Sequence, residues 1–249
     1  MAMLSWTNLN PTVKLVATKK KFFNNYLYKV VVWCPGGRLI NDRHGRDAET
    51  LLANRIKLLS DQRSYNYGGS WFNSMATLRG KELEANGRAD QLQHLINIKQ
   101  QYKDRIKIRI EEPNVGIYCN DEGLLFSLMT SSCLDRIKEV HRPEDERASV
   151  ILNRGEIITK KEPEFAFKVV LKDFVFSDGN TKTNILDHLY NLDKDDQVVL
   201  TKGIVKHLGS QFNYFPGGYF YAKDEQTVTF INLICPGLIS GIFKLTKLD

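Results

Sequence analysis

At 249 residues, with 42% hydrophobic and 10% aromatic side chains, the chain has apolar surface enough for one large core or two ordinary ones and reads as a folded globular protein. Its apolar runs fall far short of the roughly 20 residues that span a bilayer, and Asn8, Asn10, Pro11 and Lys14 interrupt the N-terminus where a secretory leader would need an apolar stretch, so a cytoplasmic, intracellular setting is expected. The net charge of +6 is uneven: residues 1–140 carry +7 and residues 141–249 carry −1.

The basic excess is clustered. Residues 1–41 hold Lys14, Lys19, Lys20, Lys21, Lys29 and Arg38 and no acid, and residues 62–81 hold Arg63, Arg79 and Lys81 and again no acid. Lys19, Lys20 and Lys21, beside Phe22 and Phe23, read as a short arm able to lie on phosphates or on an anionic partner. The β-branched run at 26–33 predicts a buried strand ended by Cys34-Pro35-Gly36-Gly37. A helix follows, with Asp47 as N-cap and Leu51, Leu52, Ile56 and Leu59 at helical spacing.

Residues 63–72, Arg-Ser-Tyr-Asn-Tyr-Gly-Gly-Ser-Trp-Phe, lack a clean period and predict a loop. A second helix is expected at 90–102. Arg105, Lys107 and Arg109 alternate with Ile106, Ile108 and Ile110, so a strand there puts three cations on one face and three isoleucines on the other. A hairpin is predicted over 115–129, turning at Asn120-Asp121-Glu122-Gly123. Residues 143–147 have the composition of a linker, and the domain boundary is set there, dividing a basic domain at 1–142 from a near-neutral one at 148–249.

The second half predicts a strand at 164–172, a turn at Asp178-Gly179, helices at 183–191 and 201–208, strands at 218–223 and 226–234, and a final segment at 239–248. The fold class is therefore α+β. Tyr28-Lys29-Val30-Val31-Val32-Trp33 resembles Phe167-Lys168-Val169-Val170-Leu171-Lys172, and Ile117-Tyr118-Cys119-Asn120-Asp121-Glu122 resembles Phe220-Tyr221-Ala222-Lys223-Asp224-Glu225. The offsets of 139 and 103 residues imply about 36 extra residues in the first copy of a duplicated unit. Two similar halves are expected, each an antiparallel sheet with helices on one face in a split βαβ, ferredoxin-like arrangement. Small RNA-recognition domains and CRISPR repeat-processing nucleases share that topology. No motif of either occurs here, so the analogy bears on fold alone.

Four cysteines, Cys34, Cys119, Cys133 and Cys235, form no CxxC pair and read as buried thiols, which leaves neither a zinc ribbon nor a redox motif. No phosphate-binding glycine motif and no metal-ligand spacing is present, so no cofactor and no metal are expected.

The chemistry the sequence does offer is recognition of nucleic acid. Tyr65, Tyr67, Trp71 and Phe72, bracketed by Arg63 and Arg79, combine ring faces that stack on bases with cations that neutralise phosphate. Arg38, Arg43, Arg46, Arg105, Lys107 and Arg109 extend the basic surface of the same half. A non-catalytic protein that holds single strands, DNA or RNA, is the first expectation, with the second half free to self-associate or hold a protein partner. A structural or assembly protein, for instance of a viral particle, is the alternative, because aromatic loops and a basic arm also serve protein contacts. A metal-independent endoribonuclease is a third, with His44, beside Asp42, Arg43 and Arg46, as the general base.

Overall fold

The structure is a computed structural model that describes residues 6, 11–41, 46–61, 70–129, 133 and 135–248, with only the backbone of 60, 61 and 70–77. It is mixed α+β and divides into two compact units, the first comprising Met1–Thr18 and Phe22–Glu144, the second Lys19–Lys21 and Asp145–Asp249. Two five-stranded mixed sheets and eight α-helices are present among the described residues.

The first sheet contains β1 (Lys14–Ala17), β2 (Tyr28–Trp33), β3 (Ile106–Glu111), β4 (Asn114–Cys119) and β5 (Ile137–Arg142), in the order β1-β5-β2-β4-β3. β1 runs parallel to β5, and every other neighbouring pair is antiparallel. The two-residue period of the strands decides which face is which. Val30, Val32, Ile106, Val115, Ile117, Ile137 and Val140 enter the core, while Lys29, Val31, Trp33, Lys107, Arg109, Glu139 and His141 stand on the opposite face.

The inner face is covered by α1 (Ala48–Asp61), α2 (Ser70–Asn86), α3 (Ala89–Gln101) and α4 (Glu122–Ser127), through Leu52, Leu59, Leu83, Leu92, Leu95, Ile98 and Leu125. Asp47 caps α1 as its sequence predicts, Oδ1 accepting from the Thr50 amide at 2.8 Å. Gly37 is required where the chain leaves β2: a Cβ there would come within 2.6 Å of the Val115 side chain, which is fully buried.

The second sheet contains β6 (Ile157–Thr159), β7 (Phe167–Leu171), β9 (Val198–Leu200), β11 (Gly218–Ala222) and β12 (Ile239–Lys247), in the order β6-β12-β7-β11-β9, with β8 (Phe174–Val175) and β10 (Tyr214–Phe215) paired separately. β6 is parallel to β12 and the other pairs are antiparallel. Helices α5 (Glu146–Asn153), α6 (Gly179–Lys194), α7 (Lys202–Leu208) and α8 (Thr229–Ile234) complete the unit. Its core joins Val169, Leu171, Ile185, Leu189, Ile204, Phe215, Phe220 and Ile231.

Numbered within its own unit, each five-stranded sheet has the order 1-5-2-4-3 with the same orientations. The two resembling segment pairs fall on β2 with β7, and on the ends of β4 and β11. Between β2 and β3 lie three described α-helices, against one between β7 and β9, which is where the first unit is longer.

Several expectations are corrected. The hairpin predicted over 115–129 is β4 followed by α4, because Asp121 accepts the Leu124 amide at 3.0 Å and acts as a helix N-cap instead of a turn residue. The real hairpin joins β3 to β4 across Glu112-Pro113. The strand predicted at 226–234 is a 3₁₀ turn, Gln226–Val228, and then α8: Val228, Ile231 and Cys235 face inward at helical spacing while Leu233 is 73% exposed. Residues 70–72, predicted as the end of a loop, are instead the first turn of α2, and the rest of that predicted loop, residues 63–69, lies outside the described residues. The Asp178-Gly179 turn is the start of α6, with Asp178 accepting from the Thr181 amide at 2.6 Å. In the stretch read as a linker, Asp145 caps α5 through the Ala148 amide at 2.7 Å.

All four cysteines are buried and none forms a disulfide among the described residues, and burial pushes the Cys34 thiol up to about 12. No helix among the described residues is long and apolar enough to cross a membrane.

Candidate nucleic-acid interface

The outer face of the first sheet owes its shape to the turn that precedes β2. Phe22 and Tyr26 exchange backbone hydrogen bonds at 2.8 and 2.9 Å, and Phe23 and Asn24 sit at φ values of 54° and 57°. The left-handed region is tolerable for Asn and uncommon for an aromatic residue, so the turn is held by what its side chains reach. They reach Tyr118 of β4. Its ring lies 5.4 Å from that of Phe22, 4.9 Å from Phe23 and 6.4 Å from Tyr26, and Tyr118 is left only 3% exposed. Gly116, beside it, permits this, since a Cβ there would meet the Tyr118 ring at 3.1 Å.

Cations surround the cluster. Lys107 Nζ lies 4.0 Å from the Phe23 ring centroid, the Arg109 guanidinium 5.9 Å from the same ring, and Lys29 Nζ 5.4 Å from Tyr118 and 5.9 Å from Phe22. Phe23 remains 43% exposed. At the other end of β2, Trp33 lies 4.8 Å from the Arg136 guanidinium and 5.6 Å from Lys138 Nζ. Lys29 and Trp33 are four residues apart on one strand face, on the order of 13 Å.

The residues singled out from sequence separate into groups. Lys107 and Arg109 join this face. Arg105 is paired with Asp121 at 3.4 Å and Arg109 with Glu111 at 2.8 Å, so part of the strand's charge is already matched. Arg38 pairs with Glu112 at 3.2 Å and shares a cleft of about 460 Å³ with Arg55, Arg79 and Glu82. Arg46 is exposed just before α1. Lys19, Lys20 and Lys21, expected with the basic half, pack with the second unit, where the Lys19 carbonyl accepts from the Ile158 amide at 2.8 Å and Lys20 Nζ lies 4.1 Å from the Phe243 ring. Trp71 and Phe72 fall in the first turn of α2. Arg43, His44, Arg63, Tyr65 and Tyr67 lie outside the described residues.

The residues that build the face, Phe22, Phe23, Lys29 and Tyr118, are not among those chosen from sequence. The available signal was the pair Phe22-Phe23 next to Asn24-Asn25, a turn-forming dipeptide beside two aromatics, of which Phe23 is exposed.

His141 adjoins the cluster, its ring 5.6 Å from Phe22 and its Nε2 3.1 Å from Glu139 Oε2, with Lys14 3.4 Å from the other oxygen of that carboxylate. Burial lowers the His141 pKa, opposed by the hydrogen bond to Glu139. Among the described residues no group of three or more His, Cys, Asp or Glu side chains is placed to hold a metal ion. No protein-family model, curated protein or solved structure matches the chain.

Proposed function

We propose that the chain binds single-stranded nucleic acid without cleaving it, and that the outer face of β2, β4 and β3 is where it does so. The observation that carries the reading is the exposed Phe23 ring on a buried aromatic platform, ringed by Lys29, Lys107 and Arg109. Magnitudes favour exchange of the ring's present partner for a base. An exposed cation–π contact is worth about 0.5–1 kcal/mol, whereas a base stacked on an aromatic ring contributes about 1–3 kcal/mol. A base that takes the face of Phe23 releases Lys107 to a phosphate. Trp33 between Arg136 and Lys138 offers the same pairing further along the strand.

We also read the two units as copies of one ferredoxin-like split βαβ unit with an added edge strand. The shared 1-5-2-4-3 order supports this, as does the position of both resembling segment pairs on equivalent strands. An intracellular setting goes with four buried cysteines that form no disulfide among the described residues.

A second reading, a protein that assembles with other proteins, is favoured by one observation. Val175, Phe212 and Tyr214, at and beside the β8–β10 pair, are 68, 69 and 54% exposed, an apolar grouping suited to a protein contact.

Fluorescence anisotropy of the full chain with labelled single- and double-stranded DNA and RNA at two salt concentrations tests the first reading. Single-strand binding that weakens steeply with salt supports it. Absence of binding at low salt overturns it in favour of assembly, and shortening of the oligomer during the assay overturns the non-catalytic part.

A further inference from the structure

The second sheet has an outer face of its own. On β11, Phe220 and Ala222 point into the core at 0% exposure, so Tyr219 and Tyr221 point out, their rings 5.7 Å apart and nearly perpendicular. Across the ladder Lys168 of β7 stands opposite Tyr221 and reaches diagonally over Tyr219, Nζ 3.7 Å from its ring centroid. One strand further, Phe243 of β12 stands opposite Lys168 and lies over Gly241, where a Cβ would come within 2.9 Å of its ring. Lys20 follows, 4.1 Å above Phe243, on an arm fixed by the backbone hydrogen bond from Ile158 to Lys19. Aromatic rings and ammonium groups thus alternate across the face.

The charge on this face is unmatched. Lys14, Arg38, Arg105 and Arg109 of the first unit each hold a carboxylate. Among the described residues neither Lys20 nor Lys168 has an ion pair, and the two cations repel each other. Burial lowers the pKa of both. Tyr219 remains 39% exposed beside them. Two half-buried cations without an anion, next to an exposed ring on a rigid strand, match a ligand that brings phosphate and a flat base together.

We propose that this face is a second site for single-stranded nucleic acid, in which Tyr219 stacks on a base while Lys168 and Lys20 hold the adjoining phosphates. The proposal rests on the reading above that the chain binds single strands, and it assigns to the near-neutral half a direct part in that binding.

The test uses the full chain and fluorescein-labelled oligo(dT) and oligo(rU) of about 20 nucleotides, a length that exceeds one site of this size. Tyr219→Ala is expected to raise Kd about 5- to 150-fold, the range a stacked base represents. Tyr219→Phe, which keeps the ring, is expected to bind as the parent does. Lys168→Gln is expected to flatten the slope of log K against log salt by about 0.7 for each phosphate the lysine neutralises.

Parent binding with Tyr219→Ala and Lys168→Gln both unchanged overturns this site and leaves the first one standing. Equal loss in Tyr219→Phe and Tyr219→Ala overturns stacking. A Tyr219→Ala loss accompanied by a fall in thermal midpoint, with Lys168→Gln unchanged, assigns Tyr219 to stability alone and overturns it too. Absence of parent binding overturns both readings.

Discussion

Lys107 lies over Phe23, its ammonium 4.0 Å from the ring centroid, although 84 residues separate the two in sequence. The contact exists because the turn at residues 22–26 folds back over Tyr118, and Tyr118 stands opposite Lys107 in the β3–β4 ladder. One register position therefore brings a cation from β3 and an exposed ring from the β2 turn to the same point on the outer face.

If that point grips single strands, Lys107→Gln and Arg109→Gln act differently. Lys107 has no carboxylate partner among the described ion pairs, whereas Arg109 is held by Glu111 at 2.8 Å. Lys107→Gln is expected to reduce the salt slope of binding by about 0.7, and Arg109→Gln by less. Anisotropy titrations over several salt concentrations decide this. Equal slopes in the parent and Lys107→Gln exclude the lysine from the phosphate track.

Asp121 has two roles that substitution separates. It caps α4 through the Leu124 amide and pairs with Arg105 at 3.4 Å. Both members of the ion pair are more than half exposed, so it contributes little, while loss of an N-cap costs about 1 kcal/mol. Asp121→Ala should lower the thermal midpoint of the first unit by roughly 2–4 °C, and Asp121→Asn, which still caps, by much less. Identical midpoints for the two variants would refute the capping account.

Much of this architecture is legible in the sequence. The alternation at 105–110 and the Asp47 cap with its periodic leucines identify β3 and α1 because period and cap point to the same element. Where local signals conflict, the reading fails. Asn120-Asp121-Glu122-Gly123 is as good a turn as it is a helix start, and the burial of Leu125 in the core, together with the Asp121 cap, decides for α4. At 226–234 the apolar residues are dense enough to mimic a strand, and the helical period emerges only once Phe230 and Leu233 are found exposed. The outer face was less legible still, since Tyr118 becomes a platform through a turn 92 residues away. Likewise nothing in Lys19-Lys20-Lys21 says which of two cores a connecting segment joins.

In the second unit, Lys182 of α6 is 4% exposed and donates to the Ser210 and Phe212 carbonyls and to Ser210 Oγ. It fastens the chain entering β10 to the helix. Lys182→Met fills the same space but leaves two carbonyls unpaired, at about 1–3 kcal/mol each when they stay buried. A fall of several degrees in the second unit's thermal transition is expected. An unchanged transition would mean that water replaces the ammonium without loss.

His141 sets a pH dependence for the first unit. It is packed among Phe22, Glu139, Lys14 and Lys29, and burial lowers its pKa below the usual 6.5 despite the opposing Glu139 carboxylate. The folded chain therefore binds this proton less readily than the unfolded chain does. The stability linked to His141 is fully present above pH 6.5 and is lost as the pH falls through the folded value. Glu139→Gln removes the group that raises the pKa and should drive it lower still, widening the window of loss. Titration of the His141 ring protons by NMR measures both values directly. A parent pKa at or above 6.5, or an upward shift in Glu139→Gln, would contradict this balance of burial against the carboxylate.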